Sequence, residues 1–384
     1  MKEAKLPRRD WILLPLISVL TAAVLAASLS LIGGCVFSQN LSIGECIIID
    51  PVTGERGVPN RVCTKKTAES QPVEYRFNSC GYRAGMECGP KPPDTYRIVM
   101  AGTSYPFGWT VKREDTFAAM LPVELSRRTG RKVELYNESM IGEGGIPRNI
   151  ALRFNEILAA QPDVILWMVT PWELERADRA PRAWEEPGPG SLIRDLVKNA
   201  MRGKVSPDAI PSIVASIQDR WVASNSGILI QHYLYEFESL YVNLYLERES
   251  QTGFLRAEPN PLWQYRLQKF DQYAADIEGR AKAAGVPIVV ALLPDRVQVA
   301  MISSGDWPAG YDPYKLGEEL RAIVTSHGGT YIDTLQYFRA IPNAEQYYQP
   351  IDNHPNAGAH AIFNRILARE LTSGAVPALK AVGP

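Results

Sequence analysis

Residues 96–108 read Tyr-Arg-Ile-Val-Met-Ala-Gly-Thr-Ser-Tyr-Pro-Phe-Gly, an apolar, β-branched run from Arg97 to Ala101 that breaks into glycine, serine and proline. A short continuous apolar run bounded by turn residues is what a strand buried on both faces looks like. The same pattern recurs at Val133 to Asn137, Val164 to Val169, Pro287 to Leu292 and Thr330 to Ile332. Amphipathic stretches lie between the runs. Ile146, Ile150, Phe154 and Ile157 form one stripe, with Pro147 placed in the first turn. Leu267, Phe270, Ala274, Ile277 and Ala281 form a second, ended by Gly285; Leu316, Leu320 and Ile323 form a third; Ile362, Ile366 and Leu371 form the last. Strand and helix in alternation predict an α/β fold with a central parallel sheet of about five strands.

Upstream, Trp11 to Gly34 carries no charge and follows Lys2, Lys5, Arg8 and Arg9. As a helix it measures about 36 Å against a hydrocarbon core of about 30 Å. A buried core helix is the rival reading. The preceding basic residues predict a cytoplasmic tail over 1–10, a transmembrane signal anchor over 11–34 and everything after it outside the inner membrane, in the periplasm or beyond. Ile32-Gly33-Gly34-Cys35 also looks like a lipoprotein cleavage box with Cys35 as lipid acceptor, so anchor and lipoprotein both stand.

An exported chain agrees with the cysteines. Setting Cys35 aside leaves Cys46, Cys63, Cys80 and Cys88, an even set within residues 35–95. Two disulfides are expected there, stapling a poorly cored segment, with the connectivity open. Zinc is disfavoured by the lack of a C-x-x-C pair and of histidine in this stretch. In the whole chain 41 Lys and Arg balance 42 Asp and Glu for a formal charge of −1, with no basic cluster in its body, so no nucleic-acid partner is expected. No cofactor is expected either. The glycines around Gly142 fail a dinucleotide fingerprint because Pro147 stands at the third glycine position, and Pro106 breaks the G-x-S-x-G elbow at Ser104.

In an open α/β sheet, ligands bind beyond the carboxyl ends of the strands. Four loops there hold unusual residues: Gly102-Thr103-Ser104-Tyr105-Pro106-Phe107-Gly108, Asn137-Glu138-Ser139-Met140-Ile141-Gly142, Thr170-Pro171-Trp172-Glu173, and Asp352-Asn353-His354-Pro355-Asn356 followed by Gly358 and His360. Each has a plainer reading. Ser104 could cap a helix, Gly142 to Gly145 could be a flexible turn, His354 a loop histidine and His360 part of a helix start. Asp352, His354 and His360 could also hold a metal together, although no metal site is the expectation.

Taken in order, these blocks resemble the SGNH/GDSL hydrolases, a flavodoxin-like fold of esterases, lipases and carbohydrate acyl transferases, over about Tyr96 to Leu371. The resemblance implies a three-layer sandwich across 96–384, with Ser104 as nucleophile, His354 as base and Asp352 as acid. It implies an oxyanion hole from the amides of Ser104 and Gly142, and a substrate pocket drawing on Asn137, Thr170, Trp172 and Tyr105. Asn78-Ser79-Cys80-Gly81-Tyr82-Arg83 looks like the segment preceding the domain in membrane-anchored members. The sequence departs from the pattern twice: Thr103 stands at the usual Asp after the first glycine, and Trp172 at the oxyanion Asn. Gly-Thr-Ser-Tyr also looks like the serine turn of alginate O-acetyltransferases, in which the Asp-His pair precedes the serine.

A serine hydroxyl becomes nucleophilic when an imidazole takes its proton, and a carboxylate fixes the tautomer of that imidazole. The expectation is therefore a membrane-tethered, extracytoplasmic serine esterase or O-acyltransferase acting on small acyl groups, such as acetyl, of a glycan or small ester. A transferase would need an acyl-donor membrane protein as partner. The alternative is a glycan-binding or polysaccharide-assembly protein impaired by the loss of the oxyanion Asn. An insertion of about ninety residues, Trp172 to Trp263, is too long for an ordinary crossover and predicts a helical subdomain or lid. Its aromatics, Trp184, Trp221, Tyr233, Tyr235, Tyr241 and Tyr245, suit core packing or stacking on sugar.

Overall fold

The computed structural model describes residues 10–37, 46–176, 224–247 and 252–381. The chain divides into two compact units, Met1–Gln39 with Glu186–Tyr235, and Asn40–Glu185 with Glu236–Pro384. The first holds helix α1, Asp10–Val36. Its Leu16–Val36 stretch has a mean hydropathy of 2.2 and only 6% of its apolar window is buried, so by length and composition it is able to cross a membrane. In the same unit the helix Asn225–Leu234 starts at Ser224, whose side chain accepts from the Gly227 amide. The His232 ring of that helix lies 5.1 Å from Phe37.

The second unit opens with two antiparallel hairpins, β1 (Ile47–Asp50) with β2 (Gly54–Gly57) and β3 (Val62–Lys65) with β4 (Val73–Arg76). Cys46 is bonded to Cys63 and Cys80 to Cys88, so the four cysteines pair in sequential order. The hairpins are better cored than their polarity suggests. Cys46, Val73, Tyr75 and Phe77 pack in one cluster with Phe107, Trp109 and Met140, all of which follow strands of the main sheet. That shared cluster corrects the picture of a poorly cored segment held only by its bridges.

The main sheet has five parallel strands in the order β6-β5-β7-β8-β9: β5 (Thr95–Ala101), β6 (Lys132–Asn137), β7 (Val164–Val169), β8 (Ile288–Leu292) and β9 (Thr330–Ile332). Every residue of β5, β7 and β8 is buried, which is why these strands read as unbroken apolar runs. Helices cover both faces. Helix α3 (Phe117–Thr129), which follows the one-turn helix α2 (Ser104–Phe107), packs on the last helix, Ala357–Glu370, whereas α4 (Pro147–Ala159) packs on the long helix Pro261–Ala283 and that in turn on Lys315–His327. The result is a three-layer α/β sandwich with the flavodoxin-like strand order. In Lys315–His327 the core-facing residues are Leu316, Leu320 and Val324. Ile323, expected in that stripe, is only half-buried because one step along the helix rotates it off the sheet.

Strand order reverses between β5 and β7. Chain connections leave these neighbours in opposite directions, opening a crevice at their carboxyl ends, and an α/β sheet uses that place for ligands. Ser104 follows one of the two strands and Thr170 the other.

Candidate active site

Strand β5 ends at Ala101 and the chain turns sharply through Gly102 at φ +152°. A side chain at Gly102 would stand 2.5 Å from the Met168 carbonyl oxygen and 2.7 Å from Pro106, so only glycine lets the turn press against β7. Thr103 precedes the first turn of α2, which places Ser104 at the first helical position with its side chain half-buried. Ser104 therefore does not cap that helix.

One long-range contact and one local pair complete the site. Ser104 Oγ lies 2.8 Å from His354 Nε2. His354 Nδ1 lies 3.1 Å from Asp352 Oδ1 and 3.2 Å from the Asp352 carbonyl oxygen. Burial by itself would raise the Asp352 carboxyl, but the charge and hydrogen bond of His354, with Lys65 beyond, bring it below the ordinary carboxylate range. An ionised Asp352 fixes the imidazole so that Nε2 faces the serine as acceptor.

Asp352 and His354 are two residues apart, so the chain must bend between them for their side chains to meet. Asn353 does this with φ +57°, a conformation asparagine tolerates. Two tyrosines fasten it: the Tyr105 hydroxyl donates to the Asn353 carbonyl at 2.8 Å, and the Tyr241 hydroxyl donates to Asn353 Oδ1 at 3.1 Å. The Tyr105 ring also meets the His354 ring at 5.3 Å. Asn356 then caps the last helix, accepting from the amides of Gly358 and Ala359. His360, in that helix, is fully buried against Phe117 and accepts from the Phe117 amide at 3.3 Å. Burial pushes it down to about 3, and it stays neutral in the core and does not line the cavity over Ser104.

A cavity of about 540 Å³ opens over Ser104, His354 and Asp352. Ser104, Tyr105, Gly142, Thr170, Trp172, Asp352 and His354 all line it. No hydrogen bond engages the amides of Ser104 and Gly142 among the described residues, which leaves both as donors for an oxyanion. Trp172 forms a wall, its ring 4.7 Å from the Arg176 guanidinium. Asn137 does not line the cavity, contrary to the sequence expectation. Both ends of its amide are engaged, Nδ2 donating to the Pro106 carbonyl and Oδ1 accepting from the Ser139 amide, so it ties the second loop to the serine turn instead.

The reading of four loops omitted the one after β8, and Asp295 there is the main residue it missed. Asp295 lines the cavity and caps the helix Arg296–Ser304 through a capping box with Gln298. Burial raises its carboxyl to about 6. The strand-end rule already applied to Leu293-Pro294-Asp295 and is the signal that finds it. Glu175, raised to about 7 by burial, and Arg176, Tyr245 and Phe254 also line the cavity. Of the insertion's aromatics, Tyr241 and Tyr245 are buried, Tyr233 is exposed, and Trp184 and Trp221 lie outside the described residues.

Thr103, where the resembling family has Asp, is matched by a carboxyl from the opposite strand end. Glu173 Oε1 accepts from the Thr103 amide at 3.0 Å and from its hydroxyl at 2.7 Å. Glu173 is wholly buried beneath the Ser104 turn, and burial raises its carboxyl to about 8.

No family model and no curated protein matches the chain. Solved structures similar to it include TesA, at TM-score 0.38 and 11% identity over 72% of this chain and 98% of that one. The psychrotrophic esterase EstA from Pseudoalteromonas sp. gives TM-score 0.37 and 11% identity over 72% of this chain and 97% of that one. A mutant of Axe2, an acetyl-xylooligosaccharide esterase from Geobacillus Stearmophilus, gives 0.35 and 13% over 74% and 96%.

Proposed function

We propose that this chain is a serine esterase or O-acyltransferase that works through an acyl-serine on Ser104. The observation that carries the reading is the continuous line from Asp352 Oδ1 through the His354 ring to Ser104 Oγ, with contacts of 3.1 Å and 2.8 Å at the mouth of a cavity. His354 Nε2 takes the Ser104 proton as Oγ bonds to the acyl carbon, and the carbonyl electrons move onto oxygen against the Ser104 and Gly142 amides. Collapse breaks the ester C–O bond, and the departing alcohol receives the proton from His354. Water or a second hydroxyl then repeats the cycle in reverse to release the acyl group. Which acceptor arrives decides hydrolysis or transfer.

The substrate reading is a short acyl group, such as acetyl, on a glycan or small ester. Trp172 and Tyr105 narrow the acyl side, and the carboxyls of Asp295 and Glu175 present acceptors suited to sugar hydroxyls. Helix α1 and the two disulfides favour a tethered protein whose catalytic unit stands outside the inner membrane, in an oxidising compartment. If it transfers, a membrane protein is the natural donor of the acyl group. The second reading, a glycan binder impaired in catalysis, is favoured by one observation, the indole of Trp172 on the cavity wall where the resembling family supplies an amide.

Turnover of p-nitrophenyl acetate by the full-length chain in detergent, with Ser104→Ala as control, tests the proposal. Ser104-dependent release of nitrophenol supports it; no such release favours the binder. Adding an oligosaccharide acceptor and following its acetylation by mass spectrometry separates transfer from hydrolysis.

A further inference from the structure

Besides the ties already described, each of the loops that carry Ser104, Gly142 and Asp352–His354 is also held by a side chain of the disulfide-bonded segment between Cys46 and Cys88. On the loop that carries the acid and base, the Glu69 carboxylate accepts from the Ile351 amide at 3.0 Å and from the Asp352 amide at 2.8 Å. The loop that carries Gly142 is held by Glu55, in β2, which accepts from the Glu143 amide at 2.6 Å and the Gly144 amide at 3.0 Å. The fit there is tight: a side chain on Gly142, at φ +62°, would stand 2.3 Å from the Glu55 carboxylate. Behind the serine turn, the buried Arg83 guanidinium donates to the carbonyls of Phe107 at 3.0 Å, Gly108 at 2.6 Å and Val111 at 2.8 Å. Arg83 closes the Asn78-Ser79-Cys80-Gly81-Tyr82-Arg83 motif, whose first residue shapes the turn by accepting from the amides of Cys80 and Tyr82.

We infer that this segment is an intramolecular brace and that Glu55, Glu69 and Arg83 are positioning residues for the Ser104, Gly142 and Asp352–His354 loops. The inference rests on the acyl-serine reading above and adds to it the part of the chain that sets the geometry. The three loops come from different parts of the chain; Asn137 ties the Gly142 loop to the serine turn and Tyr105 ties the serine turn to Asn353, while Glu55, Glu69 and Arg83 hold the backbone of each loop from the other side. Charged groups holding pairs of backbone amides or carbonyls do so with directional, charge-assisted bonds. A misplacement of about 1 Å in such a site lowers turnover by about a hundredfold.

The test uses the full-length chain in detergent with Glu69→Ala, Glu55→Ala, and the rescuing variants Glu69→Gln and Glu55→Gln, whose amide oxygens keep the acceptor. Two readouts are taken, steady-state kinetics on p-nitrophenyl acetate and amide hydrogen exchange by mass spectrometry. The expected result is a fall in kcat of about tenfold to a hundredfold for each alanine variant, with KM within about twofold and kcat largely restored by glutamine. Exchange should quicken locally, over 351–352 in Glu69→Ala and over 143–144 in Glu55→Ala, with the sandwich core unchanged. Unchanged local exchange refutes the brace whatever the activity. Faster exchange with wild-type kcat refutes its catalytic role, and so does a glutamine variant as impaired as alanine. Local exchange that responds as expected in a chain with no Ser104-dependent turnover instead overturns the acyl-serine reading, and the positioning role with it.

Discussion

Replacing Glu173 by Gln probes the buried carboxyl bonded to Thr103, beside Ser104. In the folded chain burial raises this carboxyl to about 8 from an ordinary 4.5. A raised folded-state value means that the native protein holds the proton more tightly than the unfolded chain. The stabilisation is fully present below pH 4.5 and is lost as pH rises through about 8. At about 1.4 kcal/mol per unit, the change over that window has a ceiling of about 5 kcal/mol. Glutamine keeps an oxygen for the Thr103 amide and hydroxyl but carries no titratable proton. The wild-type melting temperature should therefore fall between pH 5 and pH 8.5, and that of Glu173→Gln should fall less. With about 2–4 °C per kcal/mol, that ceiling corresponds to a separation of the two curves of at most about 10–20 °C at the alkaline end. Glu138 and Glu175, raised to about 7, and Asp295, raised to about 6, give both proteins a shared downward slope, so the difference between curves is the measured quantity. The assay is intrinsic-fluorescence melting of the full-length chain at fixed ionic strength and detergent. Parallel curves across the whole range would refute the argument and show that folding does not raise the Glu173 carboxyl.

Labelling by a fluorophosphonate should occur at Ser104, be abolished in His354→Ala, weaken strongly in Asp352→Asn and change little in His360→Ala; loss of labelling only in the His360 variant would reassign the base. Trp172→Asn should raise turnover on acetyl esters, as a single oxyanion donor contributes about 3 kcal/mol in a measured protease, and should admit longer acyl chains. Unchanged rate and chain-length preference would place the indole outside the acyl side of the cavity. The double variant Cys46→Ser with Cys63→Ser should unfold at lower temperature by an amount corresponding to about 2–4 kcal/mol, measured by the same melting assay. A phosphatase reporter fused after residue 95 should be active in the periplasm; activity confined to a cytoplasmic reporter would reverse the orientation read from the basic residues before Trp11.

Much of the sandwich was readable because parallel strands buried on both faces cannot hide: Val164 to Val169 and Ile288 to Leu292 are apolar at every position, whatever lies around them. Helix phase was less secure. Ile323 and Val324 are both apolar neighbours, and only packing against the sheet decides which faces inward. Ser104, His354 and Asp352 stood out because the blocks that carry them, taken in order, resemble a known hydrolase pattern, and the structure brings all three within hydrogen-bonding reach. Asn137 stood out for the same reason and proved to be an internal tie, since an amide side chain serves a loop as readily as a ligand.

By itself the sequence determined the periodic features of this protein: the apolar span before Cys35, the alternation of strand and helix, the glycine required at the serine turn and the chemical types at the strand ends. Each depends on a residue and its near neighbours. Tertiary structure alone decided what depends on residues far apart in the chain. Glu173 reaches Thr103 across 70 positions, Glu55 reaches the Gly142 loop across 88, and Glu69 reaches Asp352 across 283. A glutamate in a list of residues has no direction, and folding turns these three toward particular backbone amides.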